Sequence, residues 1–130
     1  MSEVCAAVVR EFAAAPSWQA SLAVHLLQSG GRSVLASVQH RGPLRVQRAL
    51  YPEGDAVCHL LILHPPGGIA GGDQLQIQVT LDARTEALLT TPGSSKWYRS
   101  AGHWARQDVV LSVADGAVLE WLPQETVLFE

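Results

Sequence analysis

The chain has 130 residues and a mass of 14.0 kDa, the size of one domain or of part of a larger one. Nine basic against twelve acidic residues give a net charge of −3, which excludes the basic footprint of a nucleic-acid-binding protein. With 48% apolar and only 16% charged residues the chain can build a core, yet no apolar run approaches the roughly 20 residues of a membrane-spanning helix.

Two cysteines, Cys5 and Cys58, are too few for a four-thiolate zinc site or a disulfide framework. Together with an N-terminus whose apolar run is broken by Arg10-Glu11, unlike a secretory signal, they lead us to expect a reduced, cytoplasmic setting. Neither nucleic acid nor a membrane is expected as a partner.

Residues 1–16, rich in Ala and Val and closed by Pro16, read as a flexible lead-in, either a short helix or a frayed approach to the first strand. From Trp18 to Leu26 apolar and polar residues alternate with period two, the mark of a half-buried strand. Gly30-Gly31 signals a turn, and Ser33 to Val38 resumes a strand on its far side. Leu44 and Val46 start a further extended piece between Arg41-Gly42-Pro43 and Tyr51-Pro52-Glu53-Gly54-Asp55. Val57 to Leu63 is nearly all apolar and reads as a strand covered on both faces. Leu75, Ile77, Val79 and Leu81 alternate with Gln76, Gln78 and Thr80, the cleanest strand signal in the chain. A short strand follows over Ala87–Thr91, ended by Pro92-Gly93, a type II turn signal. Gln107 to Val113 alternates as well, Asp115-Gly116 is a hairpin dipeptide, and Ala117 to Leu122 is expected to return as the hairpin partner. Turn-bounded strands at this spacing, with no 3.6-residue period after residue 16, define an all-β chain, read as a single domain over residues 1–130. It stops at Val127-Leu128-Phe129-Glu130, inside an expected strand, as a truncated domain would.

The most sharply bent stretch is His64-Pro65-Pro66-Gly67-Gly68-Ile69-Ala70-Gly71-Gly72-Asp73. Pro65-Pro66 holds His64 extended, Pro66-Gly67 fits the centre of a type II turn, and Gly71-Gly72-Asp73 offers a second reversal. It does not match a phosphate-binding loop, since no lysine follows the glycines and no helix is expected after them.

A catalytic reading attaches to Ser94, Ser95 and Lys96 with His64, as a small hydrolase using a serine, a lysine base and an imidazole. Adjacent residues on an extended chain point apart, however, and the helical Ser-to-Lys spacing is absent. A nickel-storing reading would use Cys58, His59 and His64, but none of the five histidines shows paired ligand spacing. His64, Asp73 and Glu125 remain as candidate metal contacts. Glu120 and Glu125 stand beside apolar neighbours, and if buried they need a cation such as Lys96 or Arg99. Trp18, Trp97, Trp104 and Trp121 suit a core or an interface.

Three segments together resemble the UreD (UreH) family of urease accessory proteins. They are His64–Asp73, Leu89-Thr90-Thr91-Pro92-Gly93-Ser94-Ser95-Lys96-Trp97-Tyr98-Arg99, and Leu119-Glu120-Trp121-Leu122-Pro123-Gln124-Glu125-Thr126-Val127-Leu128-Phe129. Their order and separations match the family's, and the resemblance runs from about Trp18 to the end, the N-terminal half of a family member. Ala70 and the pair Ser94-Ser95 are small departures in side-chain size. The resemblance implies an irregular, β-helical stack of sheets with little helix. It also implies a non-enzymatic role in nickel insertion: binding the urease apoprotein and recruiting UreF, which docks the GTPase UreG. No cofactor is expected to be held tightly, with Ni²⁺ at most in transit. Carried over by position, Pro65, Pro66, Gly67, Gly68, Gly71, Gly72, Asp73, Pro92, Gly93, Lys96, Tyr98, Arg99, Glu120, Pro123, Gln124 and Glu125 are the motif residues expected to shape or line an interface.

Overall fold

A computed structural model of the chain describes residues 19–63, 72–92, 95–97, 104–124 and 126–128. The expected lead-in lies outside them. Every regular element among the described residues is a strand: β1 (Gln19–Ser29), β2 (Arg32–Arg41), β3 (Arg45–Val46), β4 (Val57–Leu63), β5 (Gln74–Leu81), β6 (Glu86–Thr90), β7 (Ser95–Trp97), β8 (Arg106–Val113), β9 (Val118–Leu122) and β10 (Thr126–Leu128). Among the described residues no helix is long and apolar enough to cross a membrane.

The strands form a first sheet in the order β2-β1-β5-β8, a second in the order β3-β4-β6-β9, and a pair β10-β7. Read along the chain, β5, β6 and β7 visit first sheet, second sheet and pair in turn, and β8, β9 and β10 repeat the circuit. The β5–β8, β6–β9 and β7–β10 pairings are all parallel. Gln74 lies opposite Arg106 and Glu86 opposite Val118, so the second and third coils are offset by 32 residues in both sheets (106 − 74, 118 − 86). Ser95 opposite Thr126 gives 31 (126 − 95) in the third strand pair. This is a short solenoid, the expected β-helical stack.

The first coil carries an insertion. Twelve residues separate the starts of β5 and β6 (86 − 74) and of β8 and β9, whereas 38 separate those of β1 and β4 (57 − 19). The difference holds β2 and β3, which pair antiparallel with β1 and β4 and flank the two sheets at one end. The β1–β2 connection at Gly30-Gly31 is the hairpin its sequence predicts, with both glycines at positive φ. Gly42, just past β2, has φ 73°, and a Cβ there would stand 2.7 Å from the Gln19 carbonyl oxygen. Only glycine fits so close to another backbone.

Alternate residues of β1, β4, β5 and β6 point between the two sheets and are buried, Leu22, Leu26, Leu60, Leu81 and Leu89 almost completely. Each such leucine contributes about 1.5–3 kcal/mol of burial, and period two in the sequence becomes an inner and an outer face. In β4 the inner residues are Cys58, Leu60 and Ile62, while Val57, His59, Leu61 and Leu63 are half-buried. The apolar run thus marks one fully covered face, with the other only partly covered, which corrects the expectation of two.

A second correction concerns Asp115-Gly116. β8 and β9 belong to different sheets and do not pair, so the dipeptide turns a corner. The turn 114–117, closed by Ala117 N–H donating to Ala114 C=O at 3.0 Å, stacks on the turn 82–85, closed by Thr85 N–H to Asp82 C=O at 3.2 Å. Rung-to-rung bonds join them, from Arg84 N–H to Asp115 C=O and from Val118 N–H to Thr85 C=O. Their third residues, Arg84 and Gly116, both have positive φ, 61° and 71°, as the third position of a type II turn requires.

Candidate functional site: a stacked crossing between the sheets

The three marked segments belong to equivalent places in the circuit. Each time the chain leaves the second sheet it must cross back to the first. It does so between Leu63 and Gln74, where the first segment lies, and again between Thr90 and Arg106, which holds most of the second. The third segment leaves the second sheet at Leu122 and runs into β10, beside β7 of the second.

The second and third segments lie directly over one another. Leu89 is opposite Trp121 and Thr90 opposite Leu122, then Ser95, Lys96 and Trp97 are opposite Thr126, Val127 and Leu128. Two hydroxyls reinforce the stack. Thr90 Oγ1 donates to the Leu122 carbonyl at 2.6 Å, and Thr91 Oγ1 accepts from Gln124 N–H at 3.0 Å. The Thr-Thr pair therefore sets the path of the Leu122-Pro123-Gln124 backbone one rung away, a role for which the sequence offered no signal. Pro92, Pro123 and Gln124 are exposed beside these bonds.

The first segment meets the same crossing at its return. Gly72, at φ 89°, donates its N–H to Trp104 C=O at 2.8 Å, and Asp73 C=O accepts from Arg106 N–H at 2.9 Å. Asp73 is 7% exposed, a depth at which a carboxylate is held by partners. His64, Pro65, Pro66, Gly67, Gly68 and Gly71 lie outside the described residues, as do Gly93, Ser94, Tyr98, Arg99 and Glu125. So do the two tight turns expected at Pro66-Gly67 and Pro92-Gly93, of which only Pro92 is described.

Glu120 sits on an exposed position of β9 and needs no cation to offset burial. Cys58 and His59 are consecutive on β4 and diverge: the thiol is enclosed in the core, while His59 Nε2 is 2.6 Å from Glu53 Oε2. They do not chelate together. Among the described residues, no three His, Cys, Asp or Glu side chains gather as metal ligands. Ser95 and Lys96 are neighbours on β7.

Away from the crossing, polar groups cluster under the β2–β3 insertion. Ser33 Oγ donates to Ala56 C=O at 2.6 Å and accepts from Glu86 N–H at 3.0 Å, while Tyr51 Oη donates to Ser33 C=O at 2.7 Å. The Arg32 guanidinium lies 4.4 Å from the Tyr51 ring centre. Burial, reinforced by the Cys58 thiol, pushes the Tyr51 phenol above its usual range against the pull of Arg32. Burial also raises the Cys58 thiol, against Tyr51 and Arg32. A buried thiol so raised is a poor nucleophile and a poor metal ligand.

Fold and site together define a class: a short, largely parallel β-solenoid that stacks its marked residues along one crossing between sheets. The family model described as UreD urease accessory protein matches residues 19–130, and the chain belongs to that family. It is 58% identical over 113 residues to the urease accessory protein UreD of Ralstonia nicotianae, covering 87% of this chain and 38% of the relative. It is 58% identical over 120 residues to the UreD of Azoarcus sp. (91% and 41%) and 47% identical over 116 residues to that of Acinetobacter baumannii (89% and 40%). The chain thus spans about two-fifths of the length of the curated relatives it matches.

Proposed function

We propose that this chain is part of a urease-maturation scaffold, which binds the urease apoprotein and recruits UreF, and through UreF the GTPase UreG, while Ni²⁺ passes to the urease active site. The observation that carries the reading is the stacking of the second and third family segments in adjacent rungs at one crossing, with Gly72 and Asp73 stitched to the same crossing. The described residues of those segments, Thr90, Thr91, Leu122, Pro123 and Gln124 with Gly72 and Asp73, thereby gather along one crossing, which supports the reading.

The role assigned to the chain is to hold and position, without turning over a substrate. Ni²⁺ is cargo in this reading, and cargo needs oxygen or imidazole groups that bind weakly enough to let go. His64, Asp73 and Glu125 are the candidate groups of that chemistry in the three segments.

Co-purification tests the proposal. A family-length polypeptide carrying this region is expected to retain UreF and apo-urease on an affinity column. Deleting its gene is expected to leave urease without nickel. Fully metallated urease in the deletion strain would refute the role.

A further inference from the structure

The charges of the chain are unevenly spread. Four of its nine basic residues, Arg32, Arg41, Arg45 and Arg48, fall between Glu11 and Glu53, a stretch without a single acid in a chain of net charge −3. All four lie in the β2–β3 insertion, so the edge where those strands flank the two sheets is basic. Arg32 is engaged, 3.8 Å from the Asp55 carboxylate and stacked on Tyr51. Arg41, Arg45 and Arg48 are exposed, and among the described residues none of them makes an ion pair or hydrogen bond. Arg41 closes β2 and Arg45 opens β3, with one short turn between them.

The backbone of the same edge is half guarded and half open. β2 is the outermost strand of the first sheet, with β1 as its one strand neighbour, and a register shift opposite His25 and Leu26 divides it. Before the shift its free side is occupied: Ser33 N–H donates to Asp55 C=O at 2.9 Å, and Tyr51 Oη donates to Ser33 C=O at 2.7 Å. Beyond it, residues 36–41 are all exposed, and among the described residues no hydrogen bond reaches them except from β1. No proline or acid interrupts these residues. An unpaired row of backbone donors and acceptors is a template for another strand.

We infer that the free edge of β2 over residues 36–41 is a docking site for an extended acidic segment of another protein. The segment adds a strand to the first sheet and sets its carboxylates against Arg41, Arg45 and Arg48. In strand addition the main-chain bonds give affinity and the side chains give specificity; here the uncompensated arginines select negative charge. A second copy fits poorly, because edge-to-edge pairing would bring together two basic edges that hold no acid. A phosphate backbone fits poorly too, because it offers acceptors alone, whereas a strand edge presents both N–H and C=O groups. The inference is independent of the nickel role.

Fluorescence polarisation with a labelled peptide alternating Glu with Thr and Val tests this, on the 130-residue chain kept below the concentration at which it associates. Saturable binding is expected, and none by the counterpart with Lys in place of Glu. Arg41→Glu and Arg48→Glu, both on exposed side chains, should each weaken binding at least about 10-fold with an unchanged thermal midpoint. The same acidic peptide with all its amides N-methylated keeps its charge but cannot donate, and should also bind at least about 10-fold more weakly. Hydrogen exchange in residues 36–41 should slow when the unmodified peptide is added. Absence of saturable binding would overturn the inference, as would equal binding of the N-methylated peptide. So would displacement by a single-stranded oligonucleotide of equal charge as readily as by unlabelled peptide, the mark of a general polyanion site. Protection of residues 36–41 that rises with protein concentration alone would assign the edge to a second copy instead.

Discussion

Ser33 and Thr85 are both small hydroxyl residues sealed from solvent, 1% and 0% exposed, and they are expected to respond oppositely to loss of the hydroxyl. Ser33 Oγ serves two backbone groups, while Thr85 Oγ1 has no hydrogen-bond partner among the described residues. Ser33→Ala would strand the Ala56 carbonyl and the Glu86 amide and should cost about 1–3 kcal/mol. Thr85→Val keeps the shape and discards an unsatisfied polar atom, so it should be neutral or stabilise by about 1 kcal/mol. Urea unfolding of the two variants measures both, and a loss at Thr85→Val equal to that at Ser33→Ala would contradict this account.

The raised Cys58 thiol and Tyr51 phenol carry a pH consequence of definite sign. Folding favours the neutral form of each, so their contribution is complete below the ordinary values of 9.0 and 10.0. As pH climbs past them the unfolded chain releases protons that the folded one retains, and stability falls. The unfolding midpoint should be level near neutrality and decline above about pH 9. Cys58→Ala should flatten the first part of that decline; a midpoint rising between pH 9 and 11 would reverse the sign and refute it.

At the scale of elements, the stacked corners tie sequence to fold most directly. Gly116 sits at φ 71°, and a Cβ there would stand 3.2 Å from Arg84 Cγ. Gly116→Ala combines left-handed strain with that contact and should cost about 1–2 kcal/mol. Arg84 occupies the same conformation with a side chain, so Arg84→Gly relieves strain and should be neutral or stabilise by up to about 1 kcal/mol. Thermal unfolding of the pair separates this from a generic turn effect, in which both substitutions would lower the midpoint. The rung-to-rung bonds from Arg84 and to Thr85 explain why the corner matters: each turn supplies the backbone partners of the next.

For the molecule as a whole, the exposed apolar residues of β8 and β9 predict behaviour in solution. Half-covered Leu119 and Trp121, with exposed Val113, Val118 and Leu122, give the 130-residue chain an apolar end beside edge strands, the arrangement that invites edge-to-edge association. Sedimentation should show concentration-dependent oligomers, and adding a charge by Val113→Lys should reduce them. A monodisperse species at all concentrations would count against this apolar surface as a site of association.

Read as a sequence, the chain determined its own class and most of its strands. The alternation in Leu75–Leu81 and from Trp18 to Leu26 reappears in β5 and β1, and Val57–Leu63 is β4, because period two is a local consequence of burying every second side chain against a sheet. The family segments were legible as well, since they are contiguous. Partner choice was not. Asp115-Gly116 serves a hairpin and a solenoid corner equally well, and β7, three residues long, has no period to detect. Parallel pairing joins residues between 29 and 55 apart (86 − 57, 74 − 19), whose only mark in the sequence is a similar apolar pattern at equivalent rungs. Only the tertiary structure decided that the described parts of the motifs meet at one crossing and that Thr90 and Thr91 tie its rungs together, because parallel pairing satisfies backbone groups between coils and leaves no local signature.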